Sequence, residues 1–171
     1  MRTAFPGWEV EALAADDYPP ETGETYYENA LVKARHGRRL APPDAWVLGE
    51  DSGIEVDALG GGPGVSSARW AEPGRQHEAL LERLGDEERR TARMIAHMVA
   101  IGPSGEEIDA VGVIDGEIAD ESRGSEGFGY DPVFVPDGET RTMAELGDAW
   151  KREHSHRAQA AEALRASLGA S

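Results

Sequence analysis

Cysteine is absent from this 171-residue sequence, which excludes disulfides and cysteine-type zinc sites. Lysine is nearly absent. Lys33 and Lys151 are the only two, and every other fixed cation is an arginine. Positive charge is short overall, with 17 Lys and Arg against 33 Asp and Glu, a formal net charge of −16. A field of that sign repels nucleic-acid phosphates and opposes docking on anionic membranes, so no nucleic-acid or membrane partner is expected. A small phosphate ligand stays possible, because it needs only a metal ion, a few placed cations or backbone N–H groups. Long apolar runs are also lacking. The richest stretch, "MIAHMVAIG", falls far short of a membrane span, and the start carries no apolar signal core or cleavage pattern. The expected setting is cytoplasmic, with the acidity serving solubility.

What remains suffices for one domain, residues 1–171, with a core built largely from small side chains. No internal repeat or low-complexity tract interrupts it. The Pro/Gly clusters "YPPETG", "LAPPDA", "LGGGPG" and "VPDGET" are turns rather than linkers. "TYYENALVKARHGRR" has Thr25 and Glu28 at capping-box spacing and Tyr27, Ala30, Leu31 and Ala34 at helical spacing, which predicts a helix. Tyr26, Asn29 and Lys33 share another of its faces. "AWVLGE" predicts a buried strand, "IEVDAL" a second strand or an extended loop, and "HEALLERLG" a helix ending at Gly85. "RRTARMIAHMVAIG" and "IDAVGVIDGEI", joined by "GPSGEE", predict a hairpin. "DPVFVPDG" is a brief strand, "TMAEL" a second capping box, and "SHRAQAAEALRASL" a helix with Ser155 as N-cap. The class is α/β, a mixed central sheet flanked by helices.

Three stretches carry candidate chemistry. In "VLGEDSGIEVDALGGGPG" two acids, Glu50 and Asp51, stand where an apolar run stops. Carboxylates at a strand's end sit where α/β sheets place ligands, and oxygen donors suit a hard cation such as Mg²⁺. A carboxylate there can also take a proton from water. The alternative is a solvated turn. In "EGFGYDP", Phe128 and Tyr130 lie among glycines ahead of Asp131. An aromatic on such a loop can stack a planar base, and Asp131 can accept from a ring N–H; a packed turn is the alternative. In "KREHSHR", His156 and Arg157 fall in the first turn of the last helix, an anion-favouring end. They either read a carbonyl or phosphate oxygen or decorate an exposed helix start. Glu21 could share a metal with Asp51 or be an ordinary loop acid, and Lys33 could neutralise phosphate or extend its charge to solvent.

Together "ETGETYYENALVKAR", "GEDSGIEVDALGGGPGVSSARW", "FGYDPVF", "AEL" and "KREHSHRAQA" resemble, in order and spacing, the inosine/xanthosine triphosphate pyrophosphatases. The match runs over nearly the whole chain from about Trp8. The resemblance implies a two-lobed α/β fold and Mg²⁺-dependent hydrolysis of noncanonical purine nucleoside triphosphates (ITP, dITP, XTP) to the monophosphate and pyrophosphate by a cytoplasmic homodimer. It implies Asp51 as catalytic acid and metal contact, Glu21 as second metal contact, and Lys33 facing the phosphates. It makes Ser52 a substrate contact and Phe128, Gly129, Tyr130 and Asp131 the loop that stacks and reads the base. Lys151, His156 and Arg157 then recognise the purine edge. Two departures stand out. Glu50 replaces the usual aspartate, keeping charge and adding one methylene, so a modest effect is expected. No "TGNxxK" strand-loop-helix precedes "MRTAFPGWEV", so a truncated phosphate cradle is expected. If that lack is genuine, the alternative is a non-catalytic purine-nucleotide binder.

Overall fold

Thr25 opens the first helix, α1 (Tyr26–Leu40). Its side chain accepts from the Glu28 N–H, and Glu28 reaches back to the Thr25 N–H at 3.0 Å, completing the capping box. The structure, a computed structural model, describes residues 5, 7–14 and 17–169. Five residues of "MRTAFPGWEV", 1–4 and 6, therefore lie outside the described residues. After α1 come β1 (Val47–Val56), α2 (Gln76–Leu84), β2 (Thr91–Ile101), β3 (Glu107–Ile118), β4 (Phe134–Pro136), α3 (Met143–His154) and α4 (His156–Gly169). The four strands form one sheet in the order β1-β2-β3-β4. β4 pairs antiparallel with the end of β3, Gly116 opposite Pro136 and Ile118 opposite Phe134. The α/β class with helices around one sheet is as expected.

The strand β1 corrects one expectation. The acids do not stand where the strand ends, and no turn follows at Ser52–Gly53. The backbone stays extended from Val47 to Val56. The reversal comes later, where it needs left-handed backbone: Gly60 and Gly61 have φ of 63° and 90°. Glu50 and Asp51 are thus strand residues whose side chains leave opposite faces. Burial alternates Val47, Gly49, Asp51 and then slips to Ile54, Val56 across Ser52–Gly53.

The chain divides into two compact units. The first comprises residues 1–52, 96–112 and 156–171. Its sheet residues use both faces. Ala96, Met98 and Ala100 of β2 and Ala110 of β3 pack with Ala160, Ala161 and Leu164 of α4. Val99 and Ile101 pack with Ala30 and Ala34 of α1. Small residues let the helices come close. A methyl added to Gly49 would run into Ala30 O and Ala34 N, and one on Gly112 into His156 O and Ala160 N.

The second unit comprises residues 53–95 and 113–155. Its core gathers Ile54 and Val56, Leu80 and Leu84 of α2, Met94, Ile114, Ile118, Phe134, Tyr130 and Met143. Each such buried large side chain contributes about 1.5–3 kcal/mol. The Thr142–Glu145 capping box forms as expected. The helical turn it opens stops at Gly147, whose backbone is not helical (φ 81°, ψ 176°), and a second helical stretch follows it to His154, so α3 is two pieces joined at a kink. Ser155 has extended backbone, φ −65° and ψ 156°, and α4 starts at the next residue.

Candidate active site

In the first unit a lysine is drawn into a nest of oxygens. Lys33 lies two turns into α1, on the face that meets β1. Its Nζ is 2.6 Å from Glu21 Oε1 and 2.7 Å from Asp51 Oδ1, and donates to Glu50 O at 3.0 Å. Burial pulls the Lys33 pKa down, but hydrogen bonds from its ammonium to Asp51 and Glu21 outweigh that and hold it above the usual lysine value. Asp51 is 6% exposed. Its other oxygen accepts from Asn29 Nδ2 at 3.1 Å, and Asn29 Oδ1 accepts from the Gly23 N–H at 2.8 Å. Asn29 and Lys33, one helical turn apart, therefore grip both oxygens of one carboxylate.

Glu21 and Asp51 thus converge on a single positive charge. Two carboxylates so placed fit a hard divalent cation, which takes oxygen ligands. Among the described residues no group of three or more His, Asp or Glu could hold a metal.

Beside Asp51 in sequence, Glu50 and Ser52 hold the guanidinium of Arg157. Arg157 Nε donates to Glu50 Oε1 at 3.1 Å and Nη2 donates to Ser52 Oγ at 2.5 Å. Arg157 Nη1 lies 3.4 Å from Nε2 of the buried His156.

In the second unit the "EGFGYDP" loop separates its two aromatics. Phe128 is 66% exposed, so it does not plug the core. Tyr130 does: it is buried, and its hydroxyl donates to Ser67 O at 2.9 Å. Burial pushes the Tyr130 phenol above its ordinary pKa. Asp131 ties the loop. Its Oδ2 accepts from the Phe128 N–H and from Lys151 Nζ, each at 2.9 Å. Lys151 also meets Asp148 at 2.9 Å and sits 5.5 Å from the centre of the Phe128 ring, within cation–π range. Burial opposes its charge, yet the bonds to Asp131 and Asp148 raise its pKa. Gly127 must be glycine, because its φ is 87° and a methyl there would strike Asp131 and Lys151. The Gly129 carbonyl faces His77 Nδ1 at 3.2 Å.

Residues 2–167 match the Ham1 family. The chain belongs to that family. Among its relatives is the dITP/XTP pyrophosphatase of Cutibacterium acnes, 44% identical over 96% of this chain and 87% of its own length. The dITP/XTP pyrophosphatase of Symbiobacterium thermophilum is 46% identical over 94% of this chain and 83% of its own. The solved Ham1 protein of Staphylococcus aureus superposes with a TM-score of 0.87 at 36% identity, covering 99% of this chain and 91% of that one. The family resemblance drawn from the motifs is thereby borne out.

The first unit of the chain gathers Glu21, Lys33 and Asp51, and also Ser52, His156 and Arg157. The second gathers Phe128, Asp131 and Lys151, with Tyr130 turned into the core. Two contributors have roles here that the sequence did not assign them. Asn29 was visible only as a polar residue four before Lys33. Glu50 was visible as one of two adjacent acids and as a departure from aspartate, but not as the partner of Arg157.

Proposed function

We propose that this chain is a pyrophosphatase of noncanonical purine nucleoside triphosphates such as ITP, dITP and XTP, releasing the monophosphate and pyrophosphate. The observation that carries this is Asp51. It is a buried carboxylate gripped by Lys33 and Asn29, in a chain 44% identical to a dITP/XTP pyrophosphatase.

In this reading Glu21 and Asp51 hold Mg²⁺, which when bound supplies neutralisation of the phosphate charge. Lys33 and Asn29 fix Asp51 so that it takes a proton from water. The water oxygen bonds to the α-phosphorus, the bond to the bridging oxygen breaks, and pyrophosphate carries the electron pair away. Lys33 faces the departing phosphates. Phe128 stacks on the base, while Gly129, Tyr130 and Asp131 shape the loop that presents it. Lys151, His156 and Arg157 donate toward a 6-keto oxygen. A donor aimed there would meet adenine's amino group and be left unmet, which disfavours adenine. The chain acts as one catalytic domain and a cytoplasmic homodimer on free nucleotides. No described helix is long and apolar enough to cross a membrane.

The test is pyrophosphate release from inosine, xanthosine, guanosine and adenosine triphosphates, with Mg²⁺ and with EDTA. Turnover is expected to favour the first two and to need the metal. Asp51→Asn should slow it roughly 10²–10⁴-fold, the usual worth of a positioned base, with nucleotide binding retained. Undiminished release by that variant would remove Asp51 from the chemistry.

A further inference from the structure

Glu50 and Arg157 are 107 residues apart in sequence, yet they form an ion pair in the first unit, Nε lying 3.1 Å from Oε1. Glu50 and Ser52 are alternate residues of β1, so their side chains leave the same face. They take Nε and Nη2 of Arg157, two different corners of the planar fork. The third nitrogen is directed at His156. The Arg157 backbone is set as well, because α4 rests on β3 where Gly112 leaves no room for a methyl against His156 O and Ala160 N. A guanidinium anchored at two corners has lost its torsional freedom before any ligand arrives, which lowers the cost of ordering it on binding.

We infer that Glu50 is a positioning residue that aims Arg157, and through it sets the preference for a keto purine over an amino purine. The inference rests on the proposed base-reading role of Arg157. Glu50 acts through its side chain alone. Its carbonyl, which accepts from Lys33, survives any substitution. Asp51 leaves the opposite face of the same strand and keeps Lys33 and Asn29 whichever side chain stands at position 50. Selectivity and proton transfer are therefore separable here, although their residues are neighbours in the chain.

The experiment measures equilibrium binding of inosine and adenosine triphosphates, without turnover, for the wild type and for Glu50→Gln, Glu50→Ala, Glu50→Asp, Arg157→Ala and the Glu50→Ala/Arg157→Ala double variant. Loss of one charge-assisted bond corresponds to about a tenfold change in affinity. Glu50→Gln and Glu50→Ala are expected to lower the inosine-to-adenosine affinity ratio about tenfold. Arg157→Ala should lower it at least as far, and the double variant no further than Arg157→Ala alone. Glu50→Asp, which keeps the charge, should recover part of the ratio. Glu50→Gln preserves size and serves if the alanine variant folds poorly. An unchanged ratio in Glu50→Gln, or losses that multiply in the double variant, overturns the inference. Pyrophosphate release by the wild type is scored separately. Its absence sinks the hydrolase activity, whereas the affinity ratio alone decides the role of Glu50.

Discussion

Lys33 is charged against its own burial, and this has a measurable consequence. Its pKa is raised in the folded chain, with desolvation opposing and the bonds to Asp51 and Glu21 prevailing. A raised pKa means that the folded state binds this proton more tightly than the unfolded chain does. The stabilisation is then fully present below the ordinary lysine value of about 10.4. It is lost as pH rises through the higher folded value. Lys33→Met should lower the urea midpoint at pH 7, leaving Asp51 with Asn29 as its remaining donor of the two. The gap between wild type and variant should then close as pH climbs past the lysine range. A gap that stays constant to pH 12 would show that the ammonium contributes nothing electrostatic. Lys33 and Asp51 were both legible from sequence, through motif and through the scarcity of lysine. Asn29 was not, because a buried amide on a helix face looks like any other polar residue until its partner is placed.

At the scale of elements, what positions the site is close approach of helix to strand. α1 lies on β1 at Gly49, with Ala30 O and Ala34 N where a side chain would stand. Gly49→Ala must push α1 outward. That helix carries both Asn29 and Lys33, so both grips on Asp51 lengthen together. Overpacking of this kind costs about 1–3 kcal/mol, readable as a lower urea midpoint, and pyrophosphate release should fall with it. Gly169→Ala is the control, since nothing stands within 4 Å of a methyl there. Equal behaviour of the two variants would deny α1 its role in setting the site. The helices announced themselves through the Thr25–Glu28 and Thr142–Glu145 boxes, whose chemistry is local. β1 did so only in part. Glu50-Asp51-Ser52-Gly53 has turn composition, and place in a sheet beside β2 overrides such a local preference. The second helical piece of α3 after Gly147 was hidden for another reason: no capping signal opens it, because the positive-φ glycine that ends the first piece is also its junction.

For the whole molecule the governing quantity is the net charge of −16. The sequence stated that number plainly, but not how the chain partitions. The unit boundaries fall within β1, β2 and β3 and between Ser155 and His156, where no local signal marks them. Many arginines are engaged in exposed pairs, such as Arg75 with Glu78 and Arg93 with Glu55. Exposed pairs of this kind contribute about 0–1 kcal/mol each and weaken in salt. Self-repulsion among the excess carboxylates weakens in salt as well, and that stabilises the fold. The two effects have opposite signs. The excess is large and the pairs are weak, so repulsion should win. The melting temperature is therefore expected to rise between about 10 mM and about 500 mM salt, as the screening length contracts from about 30 Å to a few ångströms. Sodium chloride and choline chloride should act alike if screening is the cause. A melting temperature that falls with either salt would mean that the arginine pairs outweigh the repulsion.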